Sequence, residues 1–206
     1  MPRTLIDGFR LLPEHFSPAD QKRLLDEVLA CLEEAPLFQP VMPRSGKPMS
    51  VKMTNLGPLG WVSDVRGYRY DARHPVTGRA WPAIPDRLLD LWRAVGGYGA
   101  EPQACLVNRY VETSRLGLHV DADETAKDAP VVSVSLGDRA LFRLGGAQRS
   151  DPTSSVRLAS GDVVVLGGAS RRAYHGVDRI YPGTSRLVPG GGRINLTLRR
   201  VNNPEG

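Results

Sequence analysis

At 206 residues with 41% hydrophobic content, the chain is long enough to bury one core of ordinary size and too apolar to be disordered. Lys and Arg outnumber Asp and Glu by 27 to 22; this suits a polyanionic partner such as nucleic acid, although genomic base composition alone can produce the Arg excess. Two cysteines, Cys31 and Cys105, are too few for a disulfide framework or a structural zinc site, and neither an apolar leader nor a membrane-length window is present, so the expectation is a soluble, cytoplasmic protein with free thiols and no membrane partner.

Taken in chain order, "FSPADQKRLLDEVLACLEEAP" predicts a first helix. Ser17 is placed to cap it, Pro18 suits its first position, Leu24, Leu25, Val28, Leu29 and Leu32 form an apolar stripe, and Pro36 ends it. A second helix, "PDRLLDLWRAVGG", carries Leu88, Leu89, Leu91, Trp92 and Val95 and stops at Gly96 and Gly97. Between them, residues 38–82 are rich in Pro, Gly, Met and aromatics and predict short strands and turns. Met49, Met53, Trp61, Tyr68 and Tyr70 lie there beside Lys and Arg, a combination that fits either a hairpin packed on the core or a surface that grips a flat base by stacking.

From Ala104 onward the pattern has period two. "CLVNRYV", "APVVSVSLG", "ALFRLGG", "SSVRLASGDVVVLGG" and "RINLTLRRV" are five strand candidates separated by Gly, Asp and Pro turns, as in an antiparallel sandwich or barrel. Helices followed by a run of strands argue for an α+β fold, and with neither an internal repeat nor a linker the whole of 1–206 reads as a single domain.

The candidate chemistry begins at "LHVDADE". In an extended segment, residues two apart point the same way, so His119 and Asp121 would aim an imidazole and a carboxylate at one point. Such a triplet is weak alone. His175 follows the strand pattern "GDVVVLGG" and precedes Gly176, where backbone can approach a ligand closely; with the first pair it would complete two imidazoles and one carboxylate on one face of an iron(II) ion, the lesser alternative being a surface-turn histidine. In "RINLTLRRV" a strand would place Arg193, Asn195, Thr197 and Arg199 on one face and Ile194, Leu196 and Leu198 on the other. A cationic and neutral row fits a dianion lying along it, and Asn108 and Tyr110 of "CLVNRYV" supply a second polar pair.

These residues resemble the AlkB family of iron and 2-oxoglutarate dependent dioxygenases. The resemblance rests on Asn108-Arg109-Tyr110, His119-x-Asp121-x-Asp123-Glu124, "APVVSVSLG", "GGAQRSDP", "SGDVVVLGG", Tyr174-His175-Gly176 and the row Arg193-x-Asn195-x-Thr197-x-Arg199, with "MTNLGPLGWVSDVRGYRY" similar to the bacterial lid. It implies a double-stranded β-helix, or jelly roll, over residues 100–206, with N-terminal helices and a nucleotide-recognition lid at 38–82. His119, Asp121 and His175 would ligate Fe(II). Asn108, Tyr110, Arg193, Asn195, Thr197 and Arg199 would hold 2-oxoglutarate, with Arg193 on the distal carboxylate and Arg199 nearer the keto-acid end.

On the same resemblance, Trp61 and His119 would sandwich a flipped base, with Met53 packed nearby. Tyr68 and Tyr70 would contact the nucleic-acid backbone, and Asp123 and Arg149 the substrate. The chain departs from the family at Pro43-Arg44-Ser45-Gly46-Lys47, where a Thr-Pro-Gly-Gly-Tyr type turn is usual. The implied activity is O2-dependent demethylation of N-alkylated bases such as 1-methyladenine and 3-methylcytosine, by a monomer, in single-stranded DNA and also RNA. The alternative is an oxygenase of the same fold acting on RNA, protein or a small molecule.

Overall fold

The computed structural model describes residues 6–204, so the outermost residues of the expected 1–206 domain lie outside that range. The elements in chain order are β1 (Phe9–Leu12), α1 (Pro18–Cys31), β2 (Lys52–Leu56), β3 (Gly60–Asp64), β4 (Gly67–Asp71), α2 (Asp86–Val95), β5 (Ala104–Tyr110), β6 (Leu116–His119), β7 (Val131–Gly137), β8 (Arg139–Leu144), β9 (Ser154–Leu158), β10 (Val163–Leu166), β11 (His175–Tyr181) and β12 (Arg193–Arg199). A six-stranded sheet, β1-β10-β7-β12-β5-β2, faces a four-stranded sheet, β6-β11-β8-β9, and a separate hairpin pairs β3 with β4. Neighbouring strands are antiparallel throughout. This is the antiparallel sandwich expected from the alternating segments, and it fits the jelly roll that the resemblance implies.

Both helices form where their apolar spacing and caps predict. Ser17 accepts a hydrogen bond from the Asp20 amide at the start of α1, and Gly96 caps α2. Leu24, Leu25 and Val28 of α1 and Leu88, Leu91 and Trp92 of α2 pack on the outer face of the larger sheet, against Val132, Val134, Val163, Val165, Ile194, Leu196 and Leu198. A second core fills the space between the sheets, built from Met53, Leu106, Tyr110, Phe142, Leu144, Val164, Leu166, Val177 and Ile180. The larger sheet is therefore covered on both faces, which is why β10 reads as the unbroken apolar run "VVVL".

Three strands escape the alternation rule. β1 and β6 are four residues long, and the pattern of β11 is broken by a register shift between Val177 and Arg179. The single candidate "SSVRLASGDVVVLGG" is two strands in different sheets. They are separated at Gly161, whose φ of +89° and approach to the Phe16 carbonyl leave no room for a side chain, and at Asp162, whose carboxylate accepts the Ala159 amide. Within the segment 38–82, β2 belongs to the larger sheet, so that part of the segment is core.

The alternation of β12 puts Ile194, Leu196 and Leu198 against the helices and leaves the Arg row facing the other sheet. Leu196 is fully buried. Leu196→Ala is expected to destabilise the fold by about 2–5 kcal/mol, read as a lowered urea midpoint with unchanged slope.

Candidate metal and dicarboxylate site

The site sits at one end of the space between the sheets. β6 ends at His119 and β11 begins at His175, and the strand register sets these two residues opposite each other. Gly176 makes that register possible: a Cβ there would lie 2.5 Å from the Leu116 carbonyl oxygen. The glycine thus admits the neighbouring strand, where the sequence suggested close approach to a ligand. His175 is a buried strand residue, which removes the surface-turn reading.

His119, Asp121 and His175 offer ligand atoms that all lie within 4.8 Å of one another. The His119 Nε2 is 3.7 Å from Asp121 Oδ1, and the His175 Nε2 is 3.8 Å from Asp121 Oδ2. Each imidazole uses its Nδ1–H on a backbone carbonyl, His119 on Gly117 at 2.9 Å and His175 on Ala173 at 3.0 Å. A carbonyl only accepts, so each ring turns a Nε2 lone pair toward the carboxylate, the tautomer a metal requires. Burial pushes the His175 imidazole down to about 4, so it is neutral and ligand-ready at physiological pH.

Asp121 is almost fully buried. Burial alone would push its carboxyl up; the Arg199 guanidinium, with Arg171 behind it, outweighs that and holds it well below the usual carboxylate range. Arg199 donates to Asp121 Oδ1 at 2.8 Å, while Asp121 Oδ2 is buried without a hydrogen-bond partner. One oxygen is anchored and the other is left for a cation.

Register puts Arg193, Asn195, Thr197 and Arg199 of β12 opposite Tyr110, Asn108, Leu106 and Ala104 of β5. All four β12 side chains, with Asn108 and Tyr110, are buried on the inter-sheet face. Asn195 and Thr197 are internally satisfied: Asn195 donates to Ser133 Oγ and the Val134 carbonyl and accepts from Thr197. Arg193 donates from Nη2 to Ser135 Oγ at 2.8 Å, yet its Nε and Nη1, the Arg199 Nε and the Asn108 Oδ1 are buried without partners. Burial pushes the Arg193 guanidinium down to about 10 and the Tyr110 hydroxyl up to about 12.

Buried donors of this kind are costly unless something accepts from them. A dicarboxylate along the row would satisfy Arg193 at one end and reach the Asp121 end near Arg199. The donor set therefore fits both groups, a cation held by two imidazoles and a carboxylate and an organic dianion beside it.

The β3–β4 hairpin meets the same loop. The Trp61 indole N–H donates to Asp123 Oδ2 at 2.7 Å, and one face of its ring stacks on Tyr68, centroids 5.4 Å apart. Tyr68 is exposed and Met53 is buried in the inter-sheet core. Arg149 is exposed and donates to the Leu118 carbonyl, next to His119. The Tyr70 hydroxyl donates to Glu124, and burial raises its pKa. The polar end of Tyr70, for which the resemblance implied a nucleic-acid backbone contact, is engaged here by an acid of the loop.

Sequence reasoning left out Arg171, Ser133 and Ser135. The serines alternate in "VVSVSLG", a visible signal whose meaning needs the β12 register. Arg171 carries no such signal. It lies in a single 3₁₀ turn, Gly168–Arg172, and is buried. Its Nε donates to the Ala129 carbonyl at 2.8 Å, its Nη1 to the Asp121 carbonyl at 2.8 Å and its Nη2 to Glu124 Oε2 at 3.1 Å. One guanidinium thus ties the turn before His175 to the loop that carries Asp121.

Comparison with known proteins agrees with this geometry. The family model described as 2OG-Fe(II) oxygenase superfamily matches residues 8–199. An alpha-ketoglutarate-dependent dioxygenase AlkB homolog of Caulobacter vibrioides (strain NA1000 / CB15N) is 57% identical over 200 residues, covering 97% of this chain and 90% of the relative. The alpha-ketoglutarate-dependent dioxygenase AlkB of Escherichia coli (strain K12) is 41% identical over 194 residues, covering 92% and 88%. A solved structure described as "The structure of OsALKBH1" superposes with a TM-score of 0.80 at 33% identity, covering 95% of this chain and 98% of that one.

Removing the Arg171 clamp frees the Asp121 loop without touching a ligand atom. Arg171→Gln is expected to weaken Fe(II) binding by about 10- to 100-fold, measured by anaerobic titration, with a circular dichroism spectrum unchanged from the parent.

Proposed function

The chain belongs to the AlkB family of iron(II) and 2-oxoglutarate dependent dioxygenases, and from that premise we propose that it repairs nucleic acid by oxidatively demethylating N-alkylated bases of the 1-methyladenine and 3-methylcytosine type. The observation that supports this reading best is the junction of two features at one loop. Asp121 faces both imidazoles, and two residues on Asp123 holds the indole of an aromatic hairpin. Bound iron(II) with 2-oxoglutarate and O2 supplies the oxidation of the N-alkyl carbon, and the products are the unmodified base, formaldehyde, succinate and CO2.

In this reading the protein's residues position, shield and discriminate. His119, Asp121 and His175 hold the metal. Asn108, Tyr110, Arg193 and Arg199 orient 2-oxoglutarate, with Asn195 and Thr197 bracing the wall from which the arginines project. Segment 38–82 serves as the nucleotide-recognition lid over the 100–206 core. Trp61, backed by Tyr68, stacks on the flipped base from one side, and His119 closes the other.

Asp123 lies where the base edge enters. Methylated lesions of this type are cationic, so a carboxylate there favours them over neutral bases through Coulomb attraction at short range. Because the lesion sits on a pairing edge, the base leaves the stack before it reaches the metal, which costs least in a single strand. Stacking on Trp61 returns about 1–3 kcal/mol of that cost, and the preferred substrate is single-stranded DNA, with RNA accepted by the same stacking chemistry.

The direct test is mass spectrometry of single-stranded DNA carrying one defined lesion, with and without 2-oxoglutarate. The expected result is conversion to the unmodified base with formaldehyde release, only when 2-oxoglutarate and Fe(II) are both supplied. An intact lesion in the presence of a fully loaded enzyme would overturn the reading. Trp61→Ala should raise KM for the oligonucleotide by roughly 5- to 150-fold and leave the anaerobic Fe(II)–2-oxoglutarate absorption band in place, whereas Asp121→Ala should abolish both band and turnover.

A further inference from the structure

Several exposed arginines are paired with acids: Arg66 and Arg69 with Asp64, Arg87 with Asp20 and Glu27, and Arg93 with Asp90 and Glu101. The outer face of the four-stranded sheet instead gathers arginines on one surface. On β8, Ala140, Phe142 and Leu144 point into the core while Arg139, Leu141 and Arg143 point out. Register places Arg157 of β9 and Arg179 of β11 on either side of Leu141, and Tyr181 beside Arg139.

Four arginines thus share one sheet face. Among the described residues the acid beside them is Asp178, 3.9 Å from Arg143; Arg139, Arg157 and Arg179 have no ion-pair partner there. No two of the four are direct cross-strand partners, so their charges are spread over the face at diagonal and next-strand spacing. Arg157 also lies over the Tyr181 ring, 5.6 Å from its centroid, which holds its guanidinium against the face.

The patch lies on the opposite face of the smaller sheet from the metal ligands and reaches to within one row of the sheet end that carries them: Arg143 is paired with Gly176, one residue from His175, and the next row, Leu144–His175–His119, turns inward. Beyond Arg143 a small hollow of about 70 Å³, lined by Gly117 and Gly176 and flanked by Arg115, opens between β6 and β11. From Arg143 to Arg139 the strand runs about 13 Å, roughly four 3.4 Å steps of a nucleic-acid strand.

We propose that this arginine face is a second nucleic-acid contact, a track for phosphodiesters of the strand that leaves the mouth of the site. It rests on the nucleic-acid reading above and adds a surface to it. Guanidiniums in a row with one aromatic and one acid suit a flexible polyanion that needs charge and no base identity. Such contacts add affinity for long substrates and leave the chemistry at the metal untouched.

The test compares the parent with the triple variant Arg139→Gln, Arg157→Gln, Arg179→Gln, whose altered side chains are all exposed, by fluorescence anisotropy on a long, lesion-free single strand. Between about 50 and about 200 mM NaCl the parent is expected to lose roughly ten- to twentyfold more affinity than the variant, since each phosphate contact contributes about 0.7 to the logarithmic salt slope. Turnover of a methylated trinucleotide, too short to reach the face, should be the same for both proteins. Equal salt slopes and equal affinities would overturn the proposal, whatever the trinucleotide assay gives. Failure of the parent to turn over the trinucleotide would instead count against the demethylase reading, and the salt comparison would still score the track. A melting temperature equal to the parent's guards against a folding artefact; if it falls, Arg157→Lys, which keeps the charge, must restore the slope for the proposal to stand.

Discussion

The site depends on one buried carboxylate being held at one oxygen and left available at the other. Asp121 is almost wholly removed from water, a position that favours a neutral acid. Arg199 prevents this by donating to Oδ1, and two imidazoles oriented by their own backbone hydrogen bonds complete the set of metal-facing groups. Arg199 is buried as well, and its charge is stabilised by Asp121 and Glu124 in return. Neither member of the pair is tolerable there without the other. This mutual requirement couples the strand that faces the dicarboxylate to the loop that faces the metal.

The same loop joins the hairpin to the metal centre. Asp121, Asp123 and Glu124 lie within four residues and have different partners. Asp121 has Arg199, Asp123 has the indole of Trp61, and Glu124 has Tyr70 and Arg171. The indole of Trp61 and the hydroxyl of Tyr70 thus fasten the hairpin to the loop at two neighbouring carboxylates. Arg171 reaches the loop from the opposite side and ties it to the turn before His175.

Charge is divided between two uses. Inside, two guanidiniums on β12 are satisfied only in part by protein groups, and an organic dianion would supply what the protein leaves out. Outside, the arginines of the smaller sheet are spread over a flat face with a single acid near them. The paired arginines of the helices and of the β3–β4 hairpin are ordinary surface.

Much of this was legible before any coordinates. Apolar spacing and caps define α1 and α2, and period two defines β5, β7, β8 and β12. The division of β12 into an apolar and an Arg face follows from alternation alone, and His119 and Asp121 share a direction for the same reason. Those features depend on residues close together in the chain, where local geometry acts. The strands β1, β6 and β11, the split between β9 and β10, the clamp by Arg171 and the inward turn of Tyr70 were not legible. Short or bulged strands carry too few residues for a period, and a hydrogen bond between residues about fifty positions apart leaves no trace in spacing. What the sequence determined was which side chains lie on a common face of each segment; what only the tertiary structure decided was which faces meet, because register between distant strands is set by packing and by glycine contacts such as that of Gly176 with β6.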